Sequence, residues 1–98
     1  MTILYGPATD QAAFRRYYDD VHVPLARSMP GMTAWNLVWS DDPASPYPLV
    51  AELVTATAAD MDAMLDSPEG RAANADLANF VTGEVVFLRG DVEPVALA

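Results

Sequence analysis

Two stretches of this chain, Thr33–Trp39 and Val81–Arg89, carry apolar side chains on both sides of a two-residue alternation, and that doubled pattern restricts the fold most. In the first, Trp35, Leu37 and Trp39 oppose Val38; in the second, Val85 and Phe87 oppose Val86 and Leu88. Strands that are apolar on both faces need cover on both. Two helical regions in the remaining sequence can shield only one face of a sheet. The second face therefore calls for another copy of the chain, and a homodimer packed sheet against sheet is expected.

The other elements can be read in chain order. Residues 2 to 6 are apolar and closed by Gly6-Pro7, as a first strand would be. Thr9 or Asp10 can cap a helix in which Phe14, Tyr18, Val21, Leu25 and Met29 form one apolar stripe, with Arg16, Asp20 and Arg27 opposite. Pro24 lies inside that stripe, cannot donate to the carbonyl of Asp20 and biases Val23 away from helical geometry, so a kink or short break is expected near His22. Pro30-Gly31 ends the helix, and Asp41 to Pro46 is a turn. Leu49–Thr55 supplies a third strand. Thr57 and Asp60 have capping-box spacing, and Ser67-Pro68-Glu69 reads as a fresh helix start, giving helical segments near 58–66 and 68–79.

The resulting order, β-α-β-β-α-β, is that of the ferredoxin-like split βαβ arrangement: an α+β fold with a four-stranded antiparallel sheet and helices on one face. The 98 residues leave room for one domain, spanning 1–98. So small a domain hides little surface, yet 52% of its residues are hydrophobic, which again favours a partner surface.

Composition removes several function classes. With 5 basic and 14 acidic residues the formal charge is −9, a field that repels nucleic acid and anionic membranes. Cysteine is absent and there is a single histidine, so thiol chemistry and the usual nitrogen and sulfur metal sites are not expected, and no metal or cofactor is assigned. Glycine-rich phosphate loops and a nucleophile elbow are missing. The N-terminus has no signal-peptide pattern and no segment approaches membrane-spanning length, which points to a cytoplasmic protein.

His22 is the first candidate for chemistry. An imidazole titrates near pH ~6.5 and in a partly dry cleft serves as general base or acid; the alternative is a structural histidine at the proline break. Tyr18, four residues earlier on the same face, can orient that imidazole through a hydrogen bond or simply pack its ring. Asp76 shares a helical face with Ala72, Ala73 and Phe80. Buried there without a basic partner, its pKa would rise and it could exchange protons with a ligand or with His22; the alternative is a cap or a salt bridge to Arg71 or Arg15. Tyr5, Trp35, Phe80 and Phe87 are candidate walls of an apolar ligand cavity, although aromatics at such positions also build cores. Glu52, alternating with Val50 and Val54, points either into a dimer interior or out from a sheet edge.

The run from Phe14 to Ala26 (FRRYYDDVHVPLA), continuing to Met29-Pro30-Gly31, resembles the first-helix signature of the EthD family. Ser67-Pro68-Glu69-Gly70-Arg71 followed by Asp76-Leu77-Ala78-Asn79-Phe80 is similar to a second motif of that family. The resemblance implies a dimeric α+β barrel, in a superfamily that also holds muconolactone isomerases, cofactor-free monooxygenases, polyketide cyclases and haem-binding or haem-degrading proteins. It places His22 at the family's characteristic histidine position, and the family carries an oxidoreductase label from small-molecule catabolism. Fold alone does not select the reaction. Residues and resemblance together suggest a cofactor-independent enzyme of isomerase, dehydratase, cyclase or monooxygenase type, acting on a hydrophobic, cyclic metabolite through His22, with Tyr18 and Asp76 orienting it. The alternatives are a haem-linked oxidoreductase and a non-catalytic ligand-binding accessory protein.

Overall fold

The computed structural model describes all residues from Met1 to Ala98. Strand β1 (Thr2–Tyr5) is followed by helix α1 (Gln11–Tyr17), which Asp10 caps by accepting from the Ala13 N–H at 3.0 Å. The helical path then widens into a π-helical turn at Tyr18–His22 before resuming as α2 (Val23–Ala26). Of the kink or break expected near His22, the break does not occur: the irregularity there is this π-helical turn within a continuous helical path. The Val23 N–H donates to the Tyr18 carbonyl, five residues back. That wider turn draws the backbone away from the crowded proline ring and sets Pro24 in the first turn of α2, where a missing N–H costs least. Val23 keeps helical angles (φ −60, ψ −50) despite the proline after it.

Gly31, at φ +86, ends this arm in the left-handed region that glycine tolerates best. Strands β2 (Met32–Trp39) and β3 (Leu49–Thr55) form a hairpin. Helix α3 (Ala58–Asp66) is capped by Thr57 and α4 (Pro68–Asp76) by Ser67, each through a 3.0 Å bond from the N–H three residues on. A 3₁₀ turn at Leu77–Asn79 leads towards β4 (Val85–Leu88). This strand is shorter than the Val81–Arg89 alternation predicts. Residues 81–84 are pinned beside Gly6-Pro7: the Gly6 N–H donates to the Glu84 carbonyl at 2.7 Å, and a Cβ on Gly83 would collide with the Pro7 oxygen.

The sheet order is β2-β3-β1-β4, all neighbours antiparallel, as the ferredoxin-like arrangement requires. Register assigns the two faces. Ile3, Tyr5, Leu49, Ala51 and Leu53 point under the helices and are buried with Phe14, Tyr18, Met61 and Met64 in one core. On the other face Val38, Val50, Leu4 and Val86 lie side by side across all four strands, uncovered within one chain, and Val38 is 57% exposed. Glu52 sits on this open face beside Thr2 and Asn36, and because β3 is an inner strand its edge reading falls away. No helix is long and apolar enough to cross a membrane.

Candidate functional site

Between the covered face of the sheet and the helices lies a cavity of ≈ 590 Å³, open to solvent on one side. The sheet lends it Ile3, Tyr5, Trp35, Leu53 and Phe87; the first helical arm lends Tyr18, His22, Ala26 and Met29; α4 and the turn after it lend Ala73, Asn74 and Leu77. Twelve of the seventeen lining residues are hydrophobic, so the space suits an apolar ligand with few polar contacts. Arg71 and Arg89 are its only basic linings, and both are engaged: Arg71 with Asp66 at 2.6 Å and Arg89 with Asp62 at 2.7 Å. The Asp66 carboxyl is held below the usual carboxylate range by the Arg71 guanidinium that bonds to it.

His22 is the polar group at the heart of this wall. It is 5% exposed, and its Nδ1 lies 3.0 Å from Asp76 Oδ2. A carboxylate there accepts, which assigns the proton to Nδ1 and leaves Nε2 as a lone pair with no protein partner, on a ring that borders the cavity. Phe80 packs against the imidazole at 4.9 Å between ring centres, and Tyr18 lies at 5.1 Å on the cavity side. Tyr18 and His22 thus meet as aromatic rings, the packing alternative for Tyr18, with no hydrogen bond between them.

Asp76 departs from expectation more sharply. Neither arginine proposed for it is its partner, since Arg71 pairs with Asp66, while Arg15 lies over the Trp39 ring at 4.4 Å and 3.7 Å from Asp19. Its carboxylate instead accepts from Tyr17 Oη at 2.6 Å and Asn79 Nδ2 at 3.0 Å, both on Oδ1, besides His22 on Oδ2. Burial pushes its pKa up, but these hydrogen bonds from Tyr17, Asn79 and His22 outweigh burial and hold the carboxyl below its ordinary value. The rise expected of a carboxyl buried without a basic partner does not occur, because His22 supplies the partner and Tyr17 and Asn79 add two donors. Asp76 does not border the cavity and can act on a ligand only through His22.

Tyr5, Trp35 and Phe87 stand on the cavity wall; Phe80 does not. The 3₁₀ turn folds Phe80 inward against Phe14 and Tyr17, with ring centres 5.2 Å apart in each case, so it backs the imidazole from the protein side. Sequence reading missed Tyr17 and Asn79. Asn79 was within reach of it, being three residues after Asp76 and hence on the same helical face. Tyr17 falls outside the apolar stripe, and only the fold brings it to a residue 59 positions away.

The EthD domain model matches residues 6–84. This chain belongs to the EthD family. An uncharacterised 11.0 kDa protein from the thcB-thcC intergenic region of Rhodococcus erythropolis is 37% identical over 97% of this chain and 95% of its own length. The crystal structure of an ethyl tert-butyl ether D (EthD) family protein from Bacillus halodurans superposes with a TM-score of 0.87 at 22% identity, covering 94% of this chain and 95% of that one. A dimeric ferredoxin-like protein of unknown function from a Jannaschia species matches with a TM-score of 0.67 at 18% identity over 93% of this chain and 95% of that one. At these identities the two structures speak for the fold: the EthD domain here is an α+β fold of ferredoxin-like type, similar to proteins described as dimers.

Proposed function

We propose that this EthD family protein is a cofactor-independent enzyme that moves protons on a hydrophobic, cyclic metabolite, with His22 as the general base and acid. The observation that carries the reading is the Asp76–His22 pair: a carboxylate fixes Nδ1–H, and the free Nε2 belongs to a ring on the wall of a mostly apolar cavity. Asp76 keeps the imidazole in this tautomer and steadies the positive charge it acquires on taking a proton. Tyr18 and Phe80 restrict the ring by packing. Loss of a proton beside a carbonyl or phenol is a step shared by isomerisation, dehydration, cyclisation and cofactor-free oxygenation, and the site is suited to that step.

We further infer that the protein works in the cytoplasm as a homodimer, the aliphatic row Val38–Val50–Leu4–Val86 of one sheet packing on its copy in a second. A haem-linked oxidoreductase fits the residues poorly, because Arg71 and Arg89, the basic groups placed to receive propionates, already hold Asp66 and Asp62.

The test is mass spectrometry of small molecules that co-purify with the native protein and with a His22→Ala variant, followed by turnover of the compound found. Conversion by the native protein and loss of conversion in a folded His22→Ala variant is the expected result. A compound that binds and is returned unchanged by the native protein would instead make this a carrier or sensor. Undiminished conversion in the variant would remove His22 from the chemistry.

A further inference from the structure

Two buried polar atoms have no hydrogen-bond partner, and both belong to residues that line the cavity: Tyr5 Oη and Trp35 Nε1. Buried polar groups in folded proteins are nearly always paired, so two orphans in one cavity need a reason. The indole N–H can only donate. The Tyr5 hydroxyl keeps its proton as well, since burial pushes its pKa up to about 12. The Tyr18 hydroxyl lies near both groups, near enough for Tyr5 and Trp35 to bear on its pKa, but it meets neither at hydrogen-bonding geometry, and burial holds its own proton in place. Hydrogen-bond donors therefore collect on this wall, and no acceptor from the protein answers the Tyr5 and Trp35 groups.

We propose that Tyr5 Oη and Trp35 Nε1 together bind one oxygen of the ligand, and that the ligand is an apolar carbonyl compound with an acidic C–H beside its carbonyl. A carbonyl oxygen has two lone pairs and no proton, so it can take both donors, whereas a hydrocarbon would leave them unpartnered. The assignment rests on the reading of His22 as a base and gives that base its counterpart. His22 Nε2 removes the C–H proton; the C–H electron pair becomes the new C=C bond as the carbonyl π pair moves onto oxygen. The enolate oxygen then draws more from the same two donors than the ketone did, which is how fixed donors accelerate such a step. Return of the proton to the opposite face of the same carbon, or to the far carbon of a C=C conjugated with the enolate, restores the carbonyl and leaves an isomer, with no oxidant or reductant consumed. Tyr18, its ring centre 5.8 Å from Tyr5 and 5.1 Å from His22, lies between the oxygen site and the base.

The experiment compares two probes by equilibrium dialysis against the full-length protein: acetylnaphthalene, and isopropenylnaphthalene, in which a methylene replaces the carbonyl oxygen at nearly the same shape. The native protein should prefer the ketone. Tyr5→Phe and Trp35→Phe, which keep an aromatic ring at each position, should each weaken ketone binding by about tenfold, the usual range for one hydrogen bond, and leave the hydrocarbon unchanged. Equal affinity of the native protein for the two probes would overturn the oxygen site. So would parallel losses for both probes in the variants, because those report changed shape. His22→Ala should retain the preference for the ketone even where turnover is lost, so failure of the oxygen site and failure of the base are read separately.

Discussion

Replacing Asp76 by asparagine exchanges one carboxylate oxygen for an amide nitrogen, and the surrounding hydrogen bonds dictate which oxygen is lost. The bonds from Tyr17 and Asn79 converge on Oδ1 and survive if the amide oxygen takes that place. The amide N–H₂ then faces His22 Nδ1, where two donors would collide. The imidazole escapes by moving its proton to Nε2 and accepting at Nδ1, so the cavity is met by a donor in place of a base. A bond to a charged group contributes about 1.5–3 kcal/mol and a neutral one about 1 kcal/mol, so the variant should lose about 0.5–2 kcal/mol. For a domain of this size that lowers Tm by about 2–16 °C. Catalysis should suffer more, by about 10⁴-fold, as expected when a catalytic histidine is locked in the wrong tautomer.

The pH dependence has a definite sign. The Asp76 carboxyl titrates below its ordinary value in the folded state, so its stabilisation is complete above the unfolded carboxylate range and disappears as pH falls through the folded value. The stability gap between native protein and Asp76→Asn should therefore be full at neutral pH and close in acid. His22 is the only histidine in the chain, so nitrogen NMR of the imidazole reads a single tautomer without assignment ambiguity. Native protein at mildly alkaline pH should show the proton on Nδ1, and the variant should show it on Nε2. A variant that keeps Nδ1–H, or a stability gap that persists in acid, would refute the argument that Asp76 holds the imidazole as an ionised acceptor.

The remaining predictions concern the cavity wall and the open sheet face. Tyr5→Phe removes a hydroxyl that has no partner, so the variant should be as stable as the native protein or gain about 1 kcal/mol in denaturant unfolding. Above pH 10 the difference should grow: the Tyr5 pKa is raised from 10.0 to about 12, so the native protein loses stability as pH rises between those values and the phenylalanine variant escapes that loss. Stability lost on removing the hydroxyl would mean that it is bonded in the ligand-free protein. Val50→Lys places an ammonium in the centre of the aliphatic row, and sedimentation should show a native dimer become a folded monomer, with association weakened at least a hundredfold. A native protein that sediments as a monomer at micromolar concentration, or a variant that remains dimeric, would sink the sheet-to-sheet interface.

Much of the fold was legible because the decisive signals are local. The capping residues Asp10, Thr57 and Ser67 each bond to the N–H three positions on, and the alternation of Trp35, Leu37 and Trp39 states outright which side of β2 is covered. What escaped was fixed by close approach between distant segments. The length of β4 is set by Gly83 meeting Pro7, and the partners of Asp76 are set by the packing of α2 on α4. Even the sign of the Asp76 shift was beyond local pattern, since burial and hydrogen bonding act on the carboxyl in opposite directions and only the count of donors decides between them.

The π-helical turn joins these two levels. Pro24 announces in sequence that a regular helix cannot run through this point, but not how the chain resolves the conflict. A break would have freed His22 from the helix. Widening the turn keeps His22 on a continuous helical path, with Tyr18 one turn before it and Asp76 of α4 within 3.0 Å of Nδ1. Such turns are uncommon and recur at functional sites. Here the turn holds the imidazole between a carboxylate on its protein side and an apolar cavity on the other, the arrangement that the proposed proton transfer uses.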